Sequence, residues 1–529
     1  MTANWVVVPV LVPLMTATVL LVVNGRRWQR WLTVVSLLGL LAIEVGLGAT
    51  VAGGTILVHR LGDWPAPFGI ILVADRLTVI MLLLAAMTGL AVVLYDIADP
   101  DPELRRLPFY PLFHFLLMGV NGAFVTGDLF NLFVFFEVLL IASYGLITLG
   151  ASRRQLRAGF QFVVLNLLTS ALFLFGVGAL YGLTGTLNMA DLAIKVPLVH
   201  EGDTALLHVA MMTLLVVFAA KAALLPLAFW LPDSYAAPPA PVSAMFGGIA
   251  TKVGVYALLR VFTTVFAEIR APAAEVLIFL GAVSMIVGVL GAVAQTEIRR
   301  LLSFHIISQI GYLAFGLALF TVGGVAAAVF YMVHYTIVKC ALFLVSGLGE
   351  RLGGAKDLKR LGGLAERSPT LALLFFVAAM SLAGLPPTSG FLSKYVLLAA
   401  GIAEGRYVAV TIGLVAGLLT LFSMVKVWTM AFWGAQPEGD IGRVSRGQLA
   451  AAGLLVSFSA TIALAAQPVY EFARSTAEQT LDTAAYVAAV APVSDRVNAM
   501  TSVRTPATAN QSPITVDRLP ITAHRPPSS

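Results

Sequence analysis

Eight lysines occur in the 529-residue chain, and five of them stand where a charge is unfavourable. Lys221, Lys252, Lys339, Lys394 and Lys426 fall inside apolar runs long enough to cross a bilayer, while arginine carries nearly all the charge between the runs. A charged residue at a bilayer centre costs about 2.5–3.5 kcal/mol on an insertion scale, so five unpaired amines would cost roughly 12–17 kcal/mol. That rivals the net stability of a whole domain. The amines must therefore pair with acids, line water or give up their protons, and a proton path needs all three. Lys426 lies near a span end, from which its amine can reach the interface. Lys339 can be read either way. Lys221, Lys252 and Lys394 have apolar residues on both sides or a helix break beside them.

The intramembrane acid is Glu137, in GDLFNLFVFFEVLLIASYGLI. A lone buried glutamate would protonate; one near Lys221 would stay ionised, and we expect a Glu137–Lys221 pair. Glu44, in an earlier run, has no obvious partner and reads as a subunit contact. Two histidines lie at membrane depth. His305 reads as a satisfied core residue. His334 precedes Lys339 by five residues on one helix and suits a relay, because histidine titrates near neutrality.

These groups need helices to hold them. The chain is 59% hydrophobic and 11% charged, far from the balance of a soluble domain. The apolar runs predict an all-α polytopic membrane protein of about fourteen helices. Their expected positions are 5–24, 32–52, 77–97, 109–126, 129–149, 158–183, 204–231, 242–267, 273–294, 301–320, 323–349, 369–402, 407–434 and 447–467. Loops after odd-numbered runs carry seventeen basic residues and loops after even-numbered runs five. The positive-inside rule then puts the odd-to-even loops in the cytoplasm and both termini outside. The first run has no basic stretch before it and reads as a span, not a cleavable signal. The net charge of +6 sits in short loops, so it sets orientation and gives no indication of nucleic-acid binding. A single cysteine, Cys340, allows no disulfide framework.

Two runs are interrupted beside a lysine. KAALLPLAFWLP carries Pro226 after Lys221, and SLAGLPPTSGFLSK carries Gly384, Pro386, Pro387 and Gly390 before Lys394. Discontinuous helices in corresponding halves point to an ion path, since freed backbone groups must face protein or water. On this reading the break hydrates and positions Lys221. The spacings Lys221–Lys252 and Lys394–Lys426, 31 and 32 residues, echo each other. A five-helix repeat is odd, so its copies would be inverted: helices 4–8 and 9–13, with helices 7 and 12 broken. The domains expected are residues 1–108 (helices 1–3), 109–267 (first repeat), 273–434 (second repeat), 447–467 (helix 14) and a polar tail, 475–529. That tail reads as mostly disordered, although TLDTAAYVAAVAP can form a short interfacial helix.

The stretches TGDLFNLFVFFEVLLIASYGLITLG, KAALLPLAFWLPDSYAAPPAPVSAMFGGIATKVGVYALLR, RRLLSFHIISQIGYL, VHYTIVKCALFLVSGLGERLGG and LAGLPPTSGFLSKYVLL resemble the proton-translocating, antiporter-like subunits shared by respiratory complex I and the Mrp-type multisubunit Na+/H+ antiporters. Within that family the chain is most similar to the D-type Mrp branch. Ala228 and Tyr235 stand where complex I relatives commonly have histidines, Lys394 stands where the central complex I subunit usually has glutamate, and the long C-terminal extensions of the largest relatives are missing. The resemblance implies a central hydrophilic axis carrying protons laterally through the membrane. Glu137 would be its fifth-helix acid, Lys221 the paired lysine of the broken seventh helix and Lys252 the central lysine of the eighth. His334 would be the histidine of the eleventh helix and Lys394 the end of the broken twelfth; on our own reading of the residues, His334 and Lys339 together bridge onward to Lys394.

The function expected is that of a secondary transporter subunit, not an enzyme, exchanging Na+ for protons across the plasma (inner) membrane. Its partners would be other subunits, including the large A-type one, together with membrane lipid, and it would need no cofactor or metal. The nearest alternative is a proton-pumping subunit of complex I or of a membrane-bound hydrogenase. An inert scaffold subunit is the reading from a different class, and the buried lysines weigh against it.

Overall fold

Within a bilayer the backbone must satisfy its own hydrogen bonds, and a helix does so within one segment. The computed structural model describes residues 3–23, 25–64, 68–100, 104, 108–435 and 442–491. Among them, twelve helices are long and apolar enough to cross a membrane. Three shorter apolar helices, Phe109–Val125, Pro369–Ala383 and Ser389–Ala403, accompany these. Each of the fourteen expected runs contains a helix.

The chain opens with α1 (Val8–Val22), α2 (Arg26–Val51) and α3 (Arg76–Ala98), with a short antiparallel hairpin, β1 (Leu57–Arg60) and β2 (Ile71–Ala74), between the second and third. Next come α4 (Phe109–Val125), α5 (Leu129–Thr148), α6 (Arg153–Thr184) and the short α7 (Met189–Lys195). The seventh run is α8 (Thr204–Ala222), a break, and α9 (Leu231–Ala236). The eighth is α10 (Ala240–Met245), a π-helical turn at Phe246–Ala250, and α11 (Thr251–Thr264). Three long helices follow: α12 (Ala271–Ala294), α13 (Ile298–Ala318) and α14 (Val322–Gly353). After α15 (Leu364–Arg367), the twelfth run is split into α16 (Pro369–Ala383) and α17 (Ser389–Ala403). The chain ends with α18 (Tyr407–Val427), α19 (Arg446–Leu464), α20 (Ala466–Leu481) and α21 (Thr483–Val490).

Burial sorts these helices by layer. Nearly every residue of α11, α13 and α14 is buried, whereas α6 and α18 leave much of their apolar surface outside. Four of the five lysines inside expected spans belong to, or point into, that interior layer; Lys426 does not.

Two expectations change. Residues 475–490, expected in the polar tail, are helical, as expected for the stretch TLDTAAYVAAVAP but not for the residues before it. They complete α20 and form α21, and both pack onto the bundle: Tyr470 meets Phe330 of α14 with ring centroids 5.8 Å apart, and Thr483 donates to the Thr263 carbonyl at 2.9 Å. The polar composition of α20 misled the sequence reading, because small residues such as Ala473 and Ala477 form its buried stripe. Residues 492–529 lie outside the described set. Glu44, expected at a subunit contact, is fully buried within the chain, and neither carboxylate oxygen has a hydrogen-bond partner among the described residues.

A buried ion pair fastens the end opposite the arginine-rich loops. Arg260 of α11 grips Asp75, which caps α3, through Nη1–Oδ2 at 2.6 Å and Nη2–Oδ1 at 2.8 Å. Both side chains are almost fully buried, and the guanidinium lies 5.5 Å from the Tyr486 ring of α21. Removing one partner of such a pair strands the other charge, which costs about 3–5 kcal/mol. Asp75→Ala should therefore lower the thermal midpoint of the purified protein substantially, and Arg260→Leu added to it should restore part of the loss. Equal midpoints for Asp75→Ala and the parent would show that the pair contributes nothing.

Candidate functional site

The polar axis begins on α5. Asp128 caps that helix, accepting from the Asn131 N–H at 2.8 Å, and Glu137 follows two and a half turns later on a half-buried face. Lys221 occupies the last turn of α8, where the negative end of the helix dipole suits a cation. The two do not touch. Lys221 Nζ donates to Ser170 Oγ of α6 at 3.1 Å and, at 3.5 Å, to Asn166 Oδ1 one turn away. The Ser170 hydroxyl in turn donates to Glu137 Oε1. The expected direct pair is thus a pair bridged by one hydroxyl, because α6 stands between α5 and α8. The Phe136 ring, 5.8 Å from the amine, covers another side.

The break after Lys221 is satisfied by protein groups. Ala223 turns left-handed, the Trp230 indole donates to the Ala220 carbonyl at 3.2 Å, and the Leu225 N–H reaches Ser284 Oγ at 3.0 Å. Pro226 lies within the break.

In the middle, Lys252 Nζ donates to the Gly247 carbonyl at 2.6 Å and sits 4.0 Å from the centre of the Tyr335 ring. The π-helical turn supplies that carbonyl, since such a turn leaves backbone groups out of the regular ladder. Lys339, one turn beyond Tyr335 on α14, is fully buried. Its amine has no hydrogen-bond partner among the described residues and lies 5.6 Å from the Phe343 ring centre. Lys252 and Lys339 are close enough to act on each other's charge. Gly254 brings α11 against the end of α8: a Cβ there would lie 2.4 Å from the Ala222 nitrogen. Backbone contact at that glycine sets the helices of Lys221 and Lys252 side by side.

Beyond the centre, His334 Nδ1 is bonded to Ser389 Oγ at 2.8 Å, at the start of α17. Ser389 also meets Ser459 of α19 at 2.9 Å and Ser381 of α16 at 3.2 Å. Lys394 reaches back across the second break. Its amine donates to the carbonyls of Leu382 and Ala383, at 3.0 and 3.1 Å, filling acceptors that the end of α16 leaves free, and the Tyr312 ring centre is 5.0 Å away. His334 is also within electrostatic range of Lys394. His305 of α13 is fully buried. Its Nε2 bonds Ser423 Oγ at 2.5 Å, and it lies within electrostatic range of both Lys339 and Lys394.

Gly384, Pro386 and Pro387 form the second break, Gly384 with φ +89°. Gly390 is already inside α17, where it lets the Ser381 carbonyl approach; a Cβ would overlap that oxygen at 1.7 Å. Lys426 lies at a helix end, donating to the Val293 and Gln295 carbonyls at 2.8 and 2.5 Å. It caps α12 and is not the counterpart of buried Lys252, so the spacing echo does not carry over to a shared position.

Sequence reasoning missed the hydroxyls. Ser170, Ser389 and Ser423 each contact a titratable group. Asn166 and Ser170, four residues apart on the buried stripe of α6, were a detectable signal; Ser423 sits among apolar residues with nothing to distinguish it. Among the described residues, no cluster of three or more His, Cys, Asp or Glu side chains is placed to hold a metal ion.

A bundle with two broken helices and a lysine-lined interior defines a membrane protein of the antiporter-like transporter class. The model of the NADH:quinone oxidoreductase/Mrp antiporter transmembrane family matches residues 126–420, and the chain belongs to that family. It is 43% identical over 494 residues to the D-type subunit of the Na+/H+ antiporter of Alkalihalophilus pseudofirmus, covering 92% of this chain and 99% of that protein. It is 40% identical over 491 residues to the corresponding D-type Na+/H+ antiporter subunit of Bacillus subtilis, with the same coverage of both. Among solved structures, a chain of the Mrp complex from Dietzia superposes with a TM-score of 0.86 at 32% identity, over 93% of this chain and 100% of that one.

The packing at Gly390 gives a test of the second break. Gly390→Ala forces the Ser381 carbonyl away and disturbs the serine cluster under His334. Overpacking of this kind costs about 1–3 kcal/mol. A thermal midpoint within error of the parent would mean the junction yields freely and does not hold the site.

Proposed function

We infer that the chain is the D-type subunit of a multisubunit Na+/H+ antiporter and that it moves protons along the buried axis. The observation that carries the reading is the chain Glu137–Ser170–Lys221, an acid and an amine joined through a hydroxyl that can both donate and accept. Two hydrogen bonds meeting at one oxygen put the charges about 5 Å apart, where an effective dielectric near 20 gives roughly 3 kcal/mol of attraction. That is enough for the state of Glu137 to control whether Lys221 keeps its proton. From Lys221 the proton passes to Lys252 across the Gly254 contact, then by Lys339 and His305 to Lys394, with His334 on its far side.

Two cavities support access to this axis. One of about 680 Å3 at the arginine-rich end is lined by Ala240, Arg299, Gly347 and Glu350. Gly347 lies eight residues from Lys339 along α14, about 12 Å. Another, of about 540 Å3, is lined by Lys394 and by Tyr395, Ile402 and Leu418, which lie on an outer face. Glu137 also borders an outer face, on α5. Both ends of the axis thus lie where partner subunits, the large A-type one among them, can take or deliver a proton. A row of amines repels cations, so Na+ crosses elsewhere in the assembly. The arginine-rich loops face the cytoplasm and both termini lie outside the plasma membrane. Energy comes from the proton gradient and not from redox chemistry in this chain, which distinguishes the reading from a complex I or hydrogenase pump.

The test is Na+/H+ exchange in vesicles bearing the intact complex. Glu137→Gln and Lys221→Ala should abolish coupled exchange. Ser170→Ala removes a hydrogen bond to a charged group and should slow exchange about tenfold or more, while Ser170→Thr, which keeps the hydroxyl, should largely preserve it. Wild-type exchange in both Glu137→Gln and Ser170→Ala, at normal complex levels, would sink the relay.

A further inference from the structure

The polar axis leaves one strongly basic cleft unused. Where α6 begins, beside α9 and the start of α13, a cavity of about 550 Å3 is lined by Arg153, Arg154, Arg157, Gln161, Asp233 and Arg300. Two of its guanidinium groups have acidic partners: Arg154 meets Glu297 at 2.7 Å and Arg300 meets Asp233 at 3.5 Å. Arg153 and Arg157 are exposed and have no ion-pair partner among the described residues. They stand four apart on one helix, hence on one face. Two planar forks at that spacing suit a phosphate, which accepts paired N–H donors.

What lies beyond the cleft selects the kind of phosphate. Along α6, away from the arginines, Phe160 is 70% and Leu168 61% exposed, and Phe229 of the first break adds a ring that is 63% exposed. Cationic groups at a helix end, followed by an open apolar face within the hydrocarbon, repeat the layout of a phospholipid: charged head, then chains. A free anion would have no use for the apolar face.

We propose that this cleft is a binding site for an anionic glycerophospholipid, with its phosphate between Arg153 and Arg157 and its acyl chains along α6. The head group touches α6, α9 and α13 together. Because α9 directly follows the break beyond Lys221, the lipid clamps the second half of the broken helix against its neighbours. The positive-inside role of the same arginines requires only their charge and side, and no particular lipid.

The test measures the thermal midpoint of the purified native complex in neutral detergent during titration with phosphatidylglycerol, phosphatidylcholine or inorganic phosphate. Phosphatidylglycerol should raise the midpoint and phosphatidylcholine and phosphate should not. Arg153→Ala with Arg157→Ala should require at least about tenfold more phosphatidylglycerol for the same shift. Should the double variant fail to assemble, Arg157→Gln alone is read the same way. Identical titrations of parent and variant overturn the proposal, and so does an equal shift by phosphate, which would mark a free-anion site. Loss of co-purifying subunits with an unchanged lipid response also overturns it, since the cleft would then be a protein interface.

Discussion

A buried amine needs acceptors, and a broken helix needs donors and acceptors for the backbone it frees. The interior of this protein is organised around meeting both demands with the same few groups. Lys394 does so most directly, since its ammonium occupies the carbonyls that α16 leaves at its end. Lys252 takes a carbonyl from a π-helical turn, and Lys221 takes side-chain oxygens from the neighbouring α6. None of these solutions uses a close carboxylate. The amines are held by dipoles and ring faces, which solvate a charge without neutralising it and so leave it responsive to charges further away.

The two breaks are alike in purpose and different in construction. At the first, a tryptophan of the break itself and a serine from α12 satisfy part of the backbone, and the lysine faces away toward α6. At the second, the lysine returns across the gap and Gly384 gives its stem room. Each break is pinned by a glycine in direct backbone contact, Gly254 for the first and Gly390 for the second. Those contacts set how closely the helices carrying these groups approach each other.

The helical layout was largely legible in the sequence, because twenty-residue apolar runs and loop arginines follow from the bilayer itself. The lysines and Glu137 were legible because a charge in such a run is costly enough to need explaining. The bridging by Ser170 was not, since which helix stands between α5 and α8 depends on packing and not on composition. The serines that meet His305 and His334 were hidden for the same reason: spacing along a helix fixes a face but not what lies across from it. Residues 475–479 were misjudged because small polar side chains give a weak hydropathy signal whether they are packed or solvated. The Arg260–Asp75 clasp joins residues 185 apart, and no local pattern announces it.

The hydroxyl between Glu137 and Lys221 carries one hydrogen. Handing that hydrogen to one neighbour while accepting another from the opposite side leaves its O–H dipole reversed. The group must then swivel about its Cβ–Oγ bond before it can act again in the same sense. On the proposed relay, any proton that passes through this oxygen requires one turn of the serine before the next can follow.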